Sequence, residues 1–152
     1  FYRRLRSFSE NVRQIPMGEA VRFYLKNRGT GRNIVLGLVS DQSPRLTADS
    51  YWHRFLNQDT IFNEGAELLA KKLRLPIYYA YIKRLARGKY SLELVELYNG
   101  TDEVAPHEIN ERYARILEKQ IVDCPELWMW SHKRWKHTPE KQIRIFGEKC
   151  KK

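Results

Sequence analysis

Histidine is the side chain whose ordinary pKa best suits acid–base chemistry near neutral pH, so the histidines are the first candidates for a reactive group. The four histidines are His53, His107, His132 and His137. No two of them stand at zinc-ligand spacing with a cysteine or acidic partner, so the sequence predicts no metal centre. A GxSxG nucleophile elbow, a P-loop and a GxGxxG phosphate loop are also missing, which argues against a hydrolase triad and a nucleotide cradle.

Polar residues follow two apolar runs that have the length and pattern of buried strands. Asp41 and Gln42 come directly after the apolar run at residues 34–39, and Arg84 follows the run at residues 76–82. Because open α/β folds place their sites at the carboxyl ends of parallel strands, we predict that these residues bind a polar substrate group. The alternative is that Asp41 is a turn residue and Arg84 a salt-bridge partner.

An aromatic and basic block, WMWSHKRWK, occupies residues 128–136. Mixed aromatic and cationic side chains suit an interfacial anchor or a surface on which nucleic-acid bases stack. The alternative is that two of the three tryptophans belong to the core. The candidate surface residues are Trp130, Lys133, Arg134, Trp135 and Lys136.

The formal net charge of +10 is concentrated at the two ends of the chain. Residues 1–32 carry +6 and residues 133–152 carry +6, whereas residues 33–132 carry −2. Basic segments attract nucleic acid, anionic lipid or an acidic protein, although a solubilising face is the plainer explanation. No apolar run approaches the ~20 residues of a membrane span, so the sequence predicts none here.

The apolar periodicity predicts the elements that must position these residues. It predicts helices over residues 18–28, 60–74 and 107–122, with Thr60 as the N-cap of the second. It predicts strands over residues 34–39, 76–82 and 90–97, the last two forming a hairpin. This order predicts an α/β fold with a mainly parallel sheet, flanking helices and an added antiparallel hairpin. Residues 1–140 are expected to form part of one domain, and residues 141–152 a basic, mobile tail.

Three elements of the sequence, taken in order, resemble a known family. They are Asp41-Gln42, the spacing Thr60-x4-Gly65-x4-Ala70, and the block Cys124-Pro-Glu-Leu-Trp-Met-Trp-Ser-His-Lys-Arg-Trp-Lys136. Together they are similar to the C-terminal part of the bacterial lipid A biosynthesis (lauroyl/myristoyl) acyltransferases, within the glycerolipid acyltransferase-like superfamily. The resemblance covers about residues 1–140.

The resemblance implies an enzyme that moves a fatty acyl chain from an acyl carrier protein thioester to a hydroxyl of a lipid A precursor. It implies no cofactor beyond that donor, and a location at the cytoplasmic face of the bacterial inner membrane. The implied partners are acyl carrier protein, the anionic lipid acceptor and the membrane surface, with no nucleic acid. The implied substrate-binding residues are Asp41, Gln42, Thr60, Gly65 and Arg84. The implied membrane or carrier-protein surface is the set of five residues in the aromatic and basic block.

The family's catalytic dyad is a histidine followed five positions later by an acidic residue. The residues five positions after the four histidines here are Gln58, Arg112, His137 and Gln142. No dyad is therefore predicted in this chain. We expect it, with a membrane anchor, upstream of Phe1, and we expect the chain alone to be inactive.

Two alternative functions, from other classes of protein, would use the same positive charge. A basic nucleic-acid-binding module would use the basic ends and the tryptophan cluster, although no recognition helix, zinc finger or RNP pattern is visible. A non-catalytic docking domain would use them to bind acidic partners.

Overall fold

The computed structural model describes residues 11–31 and 33–147, which fall into two compact units, Phe1–Leu38 and Val39–Lys152. In the first unit a 3₁₀ turn, Met17–Glu19, leads into helix α1, Ala20–Asn27. The amphipathic helix predicted over residues 18–28 is confirmed. It is followed by Gly29, whose φ of +91° is open to glycine but costly for other residues.

Residues 34–39 form no strand, which corrects the prediction of a strand buried on both faces. Val35 is 93% exposed and Val39 is 73% exposed. A buried strand needs a neighbouring strand for its N–H and C=O groups and a packed layer over each face. No described strand pairs with this segment, so its apolar pattern alone does not hold it in a sheet.

The second unit contains two separate antiparallel sheets and three helices. Strands β1 and β2 (Trp52–Phe55 and Gln58–Ile61) form one sheet, and β3 and β4 (Ile77–Ala86 and Lys89–Tyr98) form the other. The helices are α2 (Gly65–Leu73), α3 (Glu108–Asp123) and α4 (Pro139–Phe146), with a 3₁₀ turn at Pro125–Leu127. The mixed α/β class is confirmed. The sheet pairing within the described residues is antiparallel, so the mainly parallel sheet is not seen.

The β1–β2 hairpin was not predicted, and β2 overlaps the start of the helix predicted over residues 60–74. Its two turn residues, Leu56 and Asn57, have φ of 46° and 61°, the left-handed pair of a type I′ turn. Phe55 is fully buried, and this burial favours a strand. Thr60 lies in β2 opposite His53 and is not an N-cap, because α2 begins only at Gly65.

The β3–β4 hairpin and helix α3 match their predicted positions closely. The tyrosines on one face of β3 pack toward α3: the Tyr79 hydroxyl donates to Gln120 Oε1 at 2.5 Å, and the Tyr81 hydroxyl donates to Asp123 Oδ2 at 3.0 Å. The α3 side chains of the core are Ile109, Ala114, Leu117 and Ile121. The core of this unit therefore includes the contact between the hairpin and α3, and it extends to Phe55, Phe62 and Ala70.

Helix α4 was not predicted. The Thr138 hydroxyl caps it by accepting from the Lys141 N–H, and Pro139 occupies its first turn. Gln142 ties it to β1 and the loop before it, because its Oε1 accepts from Trp52 Nε1 at 2.6 Å and its Nε2 donates to the Thr47 carbonyl at 2.9 Å. The predicted tail at residues 141–152 overlaps this helix, and residues 148–152 lie outside the described part.

Candidate functional site

The structure brings the Asp41-Gln42 turn and the aromatic and basic block together, although about ninety residues separate them. The Ser43 N–H donates to His132 Nε2 at 2.9 Å. Both segments lie in the unit from Val39 onward. Two of the three sequence elements that carried the resemblance therefore belong to one place in the fold.

Arg134 lies in the interior of this place and not on the surface predicted for it. It is 2% exposed, its Nη2 donates to the Ile61 carbonyl at 2.7 Å, and its guanidinium carbon lies 4.5 Å from the centroid of the Phe62 ring. A guanidinium can be buried this way because it is weakly hydrated and is attracted to an aromatic face. The surface position predicted for Arg134 is thus corrected.

Asp41 acts electrostatically on the groups around Arg134. Burial lowers the pKa of Arg134 to about 10, and nearby Tyr113 and Asp41 oppose this shift. The guanidinium therefore stays protonated at neutral pH. Burial, then Tyr81 and Asp41, raise the pKa of Tyr79 to about 12. Burial foremost, then Tyr79 and Asp41, also raise the pKa of Tyr113, so both phenols keep their protons.

Several buried polar atoms here have no hydrogen-bond partner among the described residues. They include Nε and Nη1 of Arg134 and Oγ of Ser43. Buried polar atoms are nearly always bonded, so these atoms are candidates to bond a polar ligand or water. We call Asp41, Ser43, Tyr113, His132 and Arg134 the Asp41 site. It offers one guanidinium, one imidazole, two hydroxyls and one carboxylate, which can bind and orient a polar group.

His137 borders the same turn. Burial lowers its pKa, Lys141 and Lys136 lower it further, and the Pro44 carbonyl opposes the shift. The imidazole is therefore neutral at neutral pH.

Two of the predicted substrate-binding residues have local structural contacts. The buried Thr60 hydroxyl donates to the Gln58 carbonyl at 3.1 Å and accepts from Trp135 Nε1 at 2.8 Å. Gly65 begins α2, where its N–H donates to Asn63 Oδ1 at 2.9 Å and a Cβ would meet the same oxygen at 3.0 Å. Substrate binding by Thr60 and Gly65 stays a prediction.

Arg84 lies apart from the Asp41 site. It is exposed in β3, opposite Tyr90 near the hairpin turn. Tyr79, which Asp41 influences, is five residues back along the strand, or ~16 Å at 3.3 Å per residue. The shared sheet edge predicted for Asp41 and Arg84 required parallel strands, and β3 instead turns back into β4. Gln42 is exposed beside Asp41.

The family model for bacterial lipid A biosynthesis acyltransferases matches residues 3–137. The chain belongs to this family. The relationship predicted from the three sequence elements is therefore confirmed, and the match includes every residue of the Asp41 site. No curated protein and no solved structure matches the chain. Within the described residues, no helix is both long enough and apolar enough to span a membrane.

The spacing of this acyltransferase-family sequence did not predict a contact between the buried His53 and the exposed Glu111. His53 Nδ1 lies 2.9 Å from Glu111 Oε2, across 58 positions of sequence. Along α3, Arg115 donates to the Arg54 carbonyl and Glu118 Oε1 accepts from the Leu56 N–H at 2.6 Å. These three α3 side chains attach β1 to the helix. In the sequence, only the i, i+4, i+7 spacing that places these three side chains on one helix face could have suggested this attachment.

A second histidine–glutamate pair lies at the start of α3. His107 Nδ1 is 3.0 Å from Glu64 Oε1, and the Tyr51 ring stacks on the imidazole at 3.9 Å between centroids. The buried Glu67 carboxylate accepts from the backbone N–H groups of His107 and Asn110 at 2.8 and 3.0 Å. An anion is stabilised at a helix N-terminus, so Glu67 serves as the cap that α3 lacks locally.

The remaining members of the aromatic and basic block differ in exposure. Trp130, Lys133 and Lys136 are exposed, and Trp135 is partly buried against Thr60. Trp130 is also oriented by its Nε1, which donates to the Pro125 carbonyl at 2.7 Å. Contact of these residues with a membrane or a carrier protein stays a prediction.

Proposed function

We propose that this chain forms part of an acyltransferase that moves a fatty acyl chain from an acyl carrier protein thioester to a hydroxyl of a lipid A precursor. The observation that carries the proposal is that both halves of the Asp41 site lie within the segment matched by the family model. Arg134 would donate to a polar group of the substrate, and Asp41 would fix the position of the guanidinium relative to the substrate.

In this reaction the acceptor hydroxyl attacks the thioester carbonyl. A carbon–oxygen bond forms, the carbon–sulfur bond breaks, and the hydroxyl proton passes by way of a base to the departing thiolate. We propose that the base belongs to a His-x4-acid motif upstream of Phe1. In support, no histidine of this chain has that spacing, and the contact of His53 with Glu111 attaches β1 to α3.

The proposed partners and location follow from charge. Acyl carrier protein, the acceptor lipid and the inner-membrane surface are all anionic, and this chain carries a net charge of +10. We place the enzyme at the cytoplasmic face of the bacterial inner membrane, held by a segment outside this chain. The proposed reaction needs no cofactor other than the thioester donor.

We further propose that residues 34–39 join a mainly parallel sheet in the complete acyltransferase domain. The support is the uninterrupted apolar run and the exposure of Val35 and Val39 in this structure. Amide hydrogen exchange tests it: these amides are expected to exchange fast in the 152-residue chain and at least ~100-fold more slowly in the longer enzyme. Equal rates in both would contradict a strand.

The function is tested in a longer polypeptide that contains both this chain and the His-x4-acid motif. Asp41→Asn keeps the shape of the side chain and removes its charge. We expect it to lower acyl transfer to a lipid A precursor by about 100-fold, with the unfolding midpoint nearly unchanged. Lys119→Gln, at an exposed position of α3, is the matched control that should keep full activity. Wild-type turnover in folded Asp41→Asn would overturn the site assignment.

A further inference from the structure

The β3–β4 hairpin ends in an exposed segment that lies apart from the Asp41 site. We call residues 83–92 the hairpin tip. Its sequence, KRLARGKYSL, contains four basic residues and no acidic one. Leu85 is 69% exposed, Tyr90 is 58% exposed and Leu92 is 62% exposed. We infer that the hairpin tip docks onto an anionic lipid surface.

The hairpin projects beyond the helix on which it packs. The bond from Tyr81 to Asp123 reaches the last residue of α3, and the residues from Lys83 to Tyr90 are all exposed. The strands stay paired to the end, with Arg84 opposite Tyr90 and a turn at Gly88, where φ is +72°. The tip is therefore a preformed projection that can bind without folding first.

The charge of the tip is mostly uncompensated. Within the described residues, Lys83 has an acidic partner, Glu93 at 3.6 Å. No comparable ion pair is seen for Arg84, Arg87 or Lys89 in that part of the chain. Basic residues close to an anionic bilayer contribute on the order of tenfold in binding for every one to two residues, and salt weakens this attraction.

The exposed apolar residues of the hairpin indicate which class of partner the hairpin tip binds. Ile82 and Leu92 are directly opposed on one face of the hairpin, with Tyr90 next along that face and Leu85 close to the turn. Aliphatic side chains gain little from nucleic-acid bases or from the rim of an acidic protein. They gain free energy by entering the boundary between headgroups and acyl chains while neighbouring basic groups bind phosphates. This combination favours a membrane over a nucleic acid.

The test measures flotation of the 152-residue chain with vesicles of phosphatidylcholine alone or with phosphatidylglycerol added. Binding is expected only to the anionic vesicles, and less at higher salt. The charge variant carries Lys83→Gln, Arg84→Gln, Arg87→Gln and Lys89→Gln. We expect it to bind anionic vesicles about 100-fold more weakly. The matched control, with equal loss of charge at exposed positions, carries Arg45→Gln, Lys72→Gln, Lys119→Gln and Arg144→Gln.

A second variant separates the apolar contribution from the charge. Leu85→Ser with Leu92→Ser keeps every basic residue and is expected to weaken vesicle binding about tenfold while leaving oligonucleotide binding unchanged. Circular dichroism and the unfolding midpoint report that the exposed substitutions leave the fold intact. Equal loss of vesicle binding in the charge variant and its matched control would overturn the proposal. So would preference of the tip for an oligonucleotide over anionic vesicles. Neither readout depends on acyl transfer.

Discussion

Arg134 and Arg84 are two arginines whose surroundings are the reverse of what their positions in the sequence suggested. Arg134, within a run of basic and aromatic residues, is buried over Phe62 and beside Asp41. Arg84, at the end of an apolar strand, is exposed on the hairpin tip. The same side chain is a buried donor in one place and a solvated charge in the other. What differs is whether neighbouring elements enclose it.

The comparison separates the free-energy cost of burying an arginine from the interactions that the arginine can make. Burying a guanidinium is unfavourable unless its donors are bonded, and two of the Arg134 donor atoms have no partner among the described residues. A buried cation retained at this cost is typical of a functional site. An exposed arginine has almost no desolvation cost, and it acts mainly by attracting anionic partners over a distance.

The largest expected effect comes from Arg134→Met, which keeps an unbranched apolar stem and removes the guanidinium charge. In the longer enzyme we expect acyl transfer to fall about 100-fold or more. Unfolding free energy should change by less than about 1 kcal/mol, because the lost bond to the Ile61 carbonyl is offset by relief of two unbonded donors. Turnover and urea unfolding measured on the same samples check both. A purely structural arginine would give the opposite pattern, with stability lost and turnover per folded molecule kept.

A smaller effect is expected next to Arg134, at Thr60. Thr60→Val keeps the shape of the side chain but leaves the Trp135 indole N–H without its acceptor. Urea unfolding is expected to show a loss of about 1–3 kcal/mol. Thr60→Ser retains the hydroxyl and should recover most of it. No loss in the valine variant would mean that water replaces the threonine at the indole.

The pH dependence of stability tests whether His137, which borders the Asp41 turn, is enclosed and neutral in the folded chain. Its pKa is lowered in the folded chain from the ordinary 6.5, so below that pH the unfolded chain binds more protons. Stability is therefore lost as the pH falls through 6.5 toward the folded-state pKa. His137→Phe should show a shallower loss between neutral pH and about pH 5. Parallel pH profiles for the two proteins would contradict the enclosed, neutral imidazole.

The smallest effect is expected at Arg84. Arg84→Gln should change unfolding free energy by no more than about 0.5 kcal/mol, because the side chain is exposed and has no ion pair within the described part of the chain. It should also lower acyl transfer less than Asp41→Asn does. A large loss of turnover at Arg84 would restore the predicted link between the two strand ends.

The sequence was most informative where structure depends on nearby residues. The β3–β4 hairpin and α3 could be predicted because their partners are adjacent or their periodicity is complete. Residues 34–39 could not, since a strand is stabilised by neighbours that no local pattern identifies. The β1–β2 hairpin was missed because its turn uses Leu56 and Asn57 without a glycine.

The candidate site was predicted only in part, because it also depends on contacts between residues that are distant in the sequence. Asp41 stood out because it follows an apolar run, but the sequence placed Arg134 on a separate surface and did not predict that it lies near Asp41. The burial of Arg134 depends on packing against Phe62, which lies 72 positions earlier in the sequence. The pair formed by His53 and Glu111 is equally non-local. Spacing rules describe contacts within one element, and these contacts join different elements.

The buried carboxylate of Glu67 makes the beginning of α3 depend on α2. The helix starts after His107, a residue with φ of 66°, and two of the backbone N–H groups at that end donate to Glu67, about 40 positions earlier. A peptide containing α3 alone would lack this cap and would fray at that end. The two helices should therefore gain and lose their order together, as one cooperative step.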